Sequence, residues 1–171
     1  MKISNAYGFS ILEILIIIAV IIIMLSIALA GYVSLNLRQT LISGGQNMKS
    51  ILRDAQSRAY TGEIDCGICN CEAGASTDSA GWYVDFFDEE IYGNCGVNDF
   101  PIPHKNFGLS NEITVNATPV TKILFRSQPL GVDNAVTVCL SLNNLANNYY
   151  KITVGQSGEI SDSGGLIETC P

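Results

Sequence analysis

The sequence predicts an α+β protein: a long N-terminal α-helix, apolar in its first half and amphipathic in its second, packed on a small antiparallel β-sheet head. Three observations carry that expectation. A run of Ile, Leu, Val and Ala follows Glu13 and reaches Ala30. Leu37, Leu41, Met48, Leu52, Ala55 and Ala59 then recur at spacings of three, four or seven, the stripe of a helix with one buried face. Past residue 80 the apolar residues instead alternate with polar ones, which is the period of a half-buried strand.

The apolar run is about 20 residues long, enough to cross a bilayer as a helix. Glu13 is the only charge between Lys2 and Arg38. A carboxylate at the head of such a run is costly and therefore reads as functional. Two plainer readings compete. Ala28-Leu29-Ala30 before Gly31 would suit the cleavage site of a secretory signal, and a simple membrane anchor needs only the apolar run. Neither gives Glu13, or the Gly8-Phe9 junction before it, anything to do.

Apolar run and stripe together predict one helix of about 50 residues, about 75 Å long at 1.5 Å per residue. Gly44-Gly45 falls inside it, and each glycine costs about 1 kcal/mol relative to alanine in a helix interior. A soft point or kink is expected there.

From Thr61 to about Ala80 the chain is rich in Gly, Cys, Ser and Asp without a period, which reads as a long loop stapled by cysteines. Trp82, Val84 and Phe86 alternate with Tyr83, Asp85 and Phe87 as a strand, and Asp88-Glu89-Glu90 reads as a solvated turn without the ligand spacing of a calcium loop. Further strands are expected at Ile113 to Val115 and Val120 to Phe125. Val136 to Leu142 and Tyr150 to Val154, joined by the turn-rich Asn143 to Asn148, predict an antiparallel hairpin with one face buried.

From Thr61 to Pro171 there are four basic and fourteen acidic residues, a formal charge of −10, which repels nucleic-acid phosphates. Six cysteines follow the apolar run: Cys66, Cys69, Cys71, Cys95, Cys139 and Cys170. An even count beyond a membrane crossing points to an oxidising compartment and up to three disulfides, among about 15 possible connectivities. Cys66-Gly67-Ile68-Cys69-Asn70-Cys71 also has the look of half a zinc site, with Cys95 as a fourth ligand. Redox catalysis by Cys66 and Cys69 lacks a surrounding βαβ pattern. The single histidine, His104, lies between Pro103 and Lys105, and no nucleophilic triad or phosphate loop accompanies it. No catalytic residue, cofactor or resident metal is expected.

The opening Gly8-Phe9-Ser10-Ile11-Leu12-Glu13 and its apolar run resemble the signal of type IV prepilins and type II secretion pseudopilins. That resemblance implies a pilin-like fold and a division into a leader at 1–8, a membrane or filament-core helix at 9–30, its amphipathic continuation at 31–60 and an extracytoplasmic head at 61–171. It also implies a prepilin peptidase that cuts between Gly8 and Phe9 and methylates the Phe9 amine. Glu13 would pair with the Phe9 amine of a neighbouring subunit, while an inner-membrane assembly platform builds the filament from pilin or pseudopilin subunits. The chain would begin as a single-pass inner-membrane protein. Leu52-Arg53-Asp54-Ala55-Gln56-Ser57-Arg58-Ala59, with Ile123-Leu124-Phe125, Gly131 and Ile152-Thr153-Val154-Gly155 to Gly158-Glu159-Ile160, is similar to GspH/FimT-type minor pilins. Glu159 stands where that family commonly has a basic residue, and the cysteine-rich insert is atypical. The alternative is a membrane-anchored adhesin or a DNA-uptake receptor, and the acidic head argues against DNA.

Overall fold

The computed structural model describes residues 10–63, 65–69, 80–95, 99–100, 106–126 and 130–170. It divides into two compact units, Met1–Asn36 and Leu37–Pro171. The helix α1, Ile11–Tyr60, contributes to both.

In the larger unit the end of α1 packs on two antiparallel sheets. The first has the order β3-β2-β1-β5-β6, built from β1 (Ala80–Asp85), β2 (Glu90–Cys95), β3 (Asp99–Phe100), β5 (Lys122–Arg126) and β6 (Gly131–Val132). The second has the order β4-β7-β8-β9, from β4 (Ile113–Thr118), β7 (Val136–Leu142), β8 (Tyr149–Val154) and β9 (Ile160–Ile167). The expected hairpin is present, with Val136 opposite Val154 and Leu140 opposite Tyr150.

One core serves both sheets. Leu41, Met48, Leu52, Ala55 and Ala59 of the stripe are fully buried with Val84, Ile123, Phe125, Val138 and Ile152. Burying a Leu- or Val-sized side chain is worth about 1.5–3 kcal/mol, so this face, rather than helix propensity, holds the end of α1 in place.

Two sheets stand where a single small sheet is expected, and one strand in each, β2 and β9, has weak periodicity in sequence. In β2 the regular pattern is broken by Gly93, over which the Phe100 ring lies so closely that a Cβ would strike it. In β9 the run Ser161-Asp162-Ser163-Gly164-Gly165 has no apolar alternation, and its register against β8 shifts between Tyr150 and Ile152. The acidic turn between β1 and β2 is held locally: Asp85 Oδ1 accepts from the amides of Phe87 and Asp88 at 2.9 and 3.2 Å.

A soft point or kink is the sequence expectation at Gly44-Gly45. α1 is unbroken there, and both glycines are buried. A Cβ on Gly45 would run into the Tyr150 ring, and one on Gly44 would meet Ile113. The pair allows close approach of helix and sheet.

Candidate assembly segment

In the unit Met1–Asn36, every described side chain from Ile11 onward is exposed. An 18-residue window of α1 has a mean hydropathy of 3.2 and none of it is buried within the chain. So large an apolar surface requires lipid or other protein around it. Glu13 lies in the first turn of α1, and its amide donates to the Ser10 carbonyl at 3.0 Å. A carboxylate is favoured in a first turn by the unpaired amides and the helix dipole. Ser10-Ile11-Leu12-Glu13 also has the spacing of a capping box, a local signal that sequence reading passed over. Gly8 and Phe9 lie outside the described residues.

The head unit grips the end of α1 through two polar clamps. Lys49 Nζ lies 2.8 Å from Asp162 Oδ2, and the Tyr150 hydroxyl donates to that same oxygen at 2.7 Å. The Lys49 hydrogen bond and then the Tyr150 one hold the Asp162 carboxyl below the usual carboxylate range. Burial, followed by the Asp162 hydrogen bond and charge, pushes the Tyr150 hydroxyl up to about 12. At the helix end, Gln56 Nε2 donates to the Gly158 carbonyl at 2.6 Å and the Tyr60 hydroxyl donates to the Ser157 carbonyl at 3.2 Å. Gly158 has a φ of 86°, and a Cβ there would collide with the Tyr60 hydroxyl, so this turn is restricted to glycine twice over.

The helix end is closed by Arg58, which pairs with Asp54 at 3.2 Å and Glu63 at 2.8 Å and stacks 5.1 Å from the Trp82 ring centroid. Trp82 Nε1 in turn donates to the Glu63 carbonyl at 3.1 Å. On the first sheet, Lys122 Nζ sits 4.0 Å from the Tyr83 centroid and 4.6 Å from that of Tyr92, and donates to the Tyr92 hydroxyl. None of this cross-strand cluster was visible in the sequence, because β2 had not been recognised.

Four of the six cysteines are placed in two disulfides, Cys69–Cys95 with a Cα separation of 5.8 Å and Cys139–Cys170 with 6.1 Å. Cys66 is also disulfide-bonded, while Cys71 and His104 lie outside the described residues. A zinc site through Cys69 and Cys95 is therefore set aside, since disulfide sulfurs are not the thiolates zinc requires. Cys69–Cys95 ties the segment after α1 to the end of β2, and Cys139–Cys170 ties the end of the chain to β7.

No family model matches the sequence, and no curated protein matches it. Two crystal structures of the type IV minor pilin FimU from Pseudomonas aeruginosa (strain PAO1) resemble the structure. The first shares 13% identity, with a TM-score of 0.56, covering 78% of this chain and 97% of that one. The second, in another crystal form, also shares 13% identity, with a TM-score of 0.53, covering 77% and 100%. At this identity the likeness is one of fold: the long helix on antiparallel sheets is pilin-like.

Proposed function

We propose that the chain is a non-catalytic structural subunit, a minor pilin or pseudopilin, of a type IV pilus or type II secretion pseudopilus. The observation that carries this reading is a pilin-like head joined in one helix to an exposed apolar segment whose single charge is Glu13. Before processing, that segment anchors the chain in the inner membrane with the head outside. A prepilin peptidase cuts between Gly8 and Phe9 and methylates the new amine. Other pilin or pseudopilin subunits and the assembly platform are the partners that the reading requires.

The chemistry of assembly follows from Glu13. A lone carboxylate in hydrocarbon costs several kcal/mol, and a cationic amine beside it offsets that cost. The Phe9 amine of a neighbouring subunit supplies the cation and sets the axial register, while apolar helices exchange lipid contacts for contacts with each other. Mass spectrometry of the N-terminal peptide from native membranes tests this. N-methylated Phe9 as the first residue supports the reading; Met1 as the first residue removes it in favour of a plain anchor, and Gly31 in favour of a secreted domain.

A further inference from the structure

Arg38, Asn147, Asn148, Glu168 and Thr169 line an open pocket of about 510 Å³ within the larger unit. Three separate parts of the chain build it. Arg38 comes from α1, the two asparagines from the turn between β7 and β8, and Glu168 and Thr169 from the segment after β9. That last wall is pinned, because the Cys139–Cys170 disulfide fastens the chain to β7 immediately beyond Thr169. The asparagine wall is held as well. Asn148 Nδ2 donates to the Ala146 carbonyl at 2.9 Å, which leaves the side-chain oxygen of Asn148 as an acceptor.

The pocket thus carries one cation and one carboxylate. Among the described residues Arg38 and Glu168 form no ion pair, with each other or with any other group. Two opposite charges held apart across a cavity match a ligand that is itself dipolar.

The place of Arg38 in the chain says where such a ligand comes from. It is the first charge after Glu13, and α1 runs between them without a break. Counted from Ile14, about 20 helical residues cover the roughly 30 Å of bilayer hydrocarbon and end at Val33. The headgroup layer adds about 5–7 Å on each side, or about four to five residues, which ends at Leu37 or Arg38. Tyr32 falls at the hydrocarbon boundary, where tyrosine is enriched. With the apolar run in a bilayer, Arg38 stands at the depth of the lipid phosphates.

We propose that this pocket takes the headgroup of a zwitterionic phospholipid with a primary amine, of the phosphatidylethanolamine class. The proposal rests on the membrane anchorage in the reading above, but not on cleavage or filament assembly. Arg38 offers the phosphate a planar fork of donors. Glu168 and the Asn148 side-chain oxygen accept from the ammonium, which has N–H donors to give. A trimethylated amine has no such donor, and a glycerol headgroup brings no positive charge to Glu168. Thr61 to Pro171 carries a formal charge of −10, which further disfavours an anionic lipid.

The test reconstitutes the full chain into vesicles of mixed phosphatidylethanolamine, phosphatidylcholine and phosphatidylglycerol. Flotation reads anchorage, and native mass spectrometry after mild detergent extraction counts the lipids retained. The wild type is expected to retain the ethanolamine lipid roughly tenfold over the other two. Arg38→Gln should lower retention of ethanolamine and choline lipids alike. Glu168→Gln should bring the ethanolamine lipid down to the choline level and leave the choline lipid unchanged. Arg53→Gln, at an exposed position of the same helix outside the pocket, should change neither. Thermal melts establish that the variants fold, and the wild-type headgroup preference carries the test where one does not. Equal retention of the three lipids by the wild type overturns the proposal and leaves anchorage standing. So does an ethanolamine preference that survives Glu168→Gln. A chain that floats with no vesicle overturns the anchorage, and the proposal with it.

Discussion

Lys49 on α1 and Asp162 on β9 stand 113 residues apart in sequence and 2.8 Å apart in the fold, with the Tyr150 hydroxyl bonded to the same carboxylate oxygen. One partly buried carboxylate thus joins the helix to two strands of the second sheet. Removing it leaves an ammonium and a hydroxyl short of their partner. Asp162→Asn is expected to cost about 1–2 kcal/mol, in the range for a charged hydrogen bond discounted for partial exposure, as read from denaturant midpoints.

The same trio sets the pH dependence at both ends. The folded state holds the Asp162 pKa below its unfolded value. Its contribution is therefore present above the unfolded pKa, about 3.9, and is lost as pH falls through the lower folded value. Tyr150 runs the other way: its folded pKa of about 12 lies above the unfolded value, so its contribution is complete below about 10 and is lost as pH rises toward 12. Melting temperature should fall on both flanks, with the acid flank shallower in Asp162→Asn and the alkaline flank shallower in Tyr150→Phe. Unchanged flanks in these variants would assign the titration to other groups.

Gly45 shows where local sequence reading stops. Glycine inside a helix suggests a weak point, and propensity alone says that alanine is better by about 1 kcal/mol. The decisive neighbour is the Tyr150 ring, supplied by a strand 105 residues further on, and no local pattern announces it. Gly45→Ala is therefore expected to destabilise by about 1–3 kcal/mol through overpacking, against its propensity gain. A higher melting temperature for this variant would restore the soft-point reading.

What was legible in the chain was whatever repeats. The Leu41-to-Ala59 stripe and the Val136–Val154 hairpin could be read because each buries one regular face. The strands β2 and β9 could not, because Gly93 makes room for the Phe100 ring and the residues from Ser163 to Gly165 form a bulge within β9 itself, so neither strand keeps an apolar alternation. The cysteine pairing was illegible for the same reason: Cys95 meets Cys69 only because β2 runs back along β1. Gly8 and Phe9 rest on motif alone, and the fold of the head bears on them only through the likeness to a pilin.

The Cys139–Cys170 disulfide closes a span of 31 residues that contains β8 and β9. In the chain-entropy account a loop of this size is worth about 3–4 kcal/mol. Cys139→Ser with Cys170→Ser should lower stability by that order, and reductant, which also opens Cys69–Cys95, should lower the wild type at least as far. If the double variant matched the oxidised wild type in denaturant, the cross-link would be dispensable to the head.

Glu13 separates the two things its position allows. As a first-turn residue it stabilises its own helix, and there glutamine retains part of the benefit by hydrogen bonding but not the charge interaction. As the partner of a neighbouring Phe9 amine it needs the charge itself. Glu13→Gln and Glu13→Ala should therefore both be cleaved after Gly8 at close to the normal extent, and both should be lost from sheared filaments. Gly8→Leu should instead accumulate the uncleaved chain, because a peptidase must approach that backbone closely. Quantifying processed and filament-borne chain in the three variants distinguishes the roles: normal incorporation of Glu13→Gln would reduce Glu13 to a helix cap and remove the charge pair from the assembly mechanism.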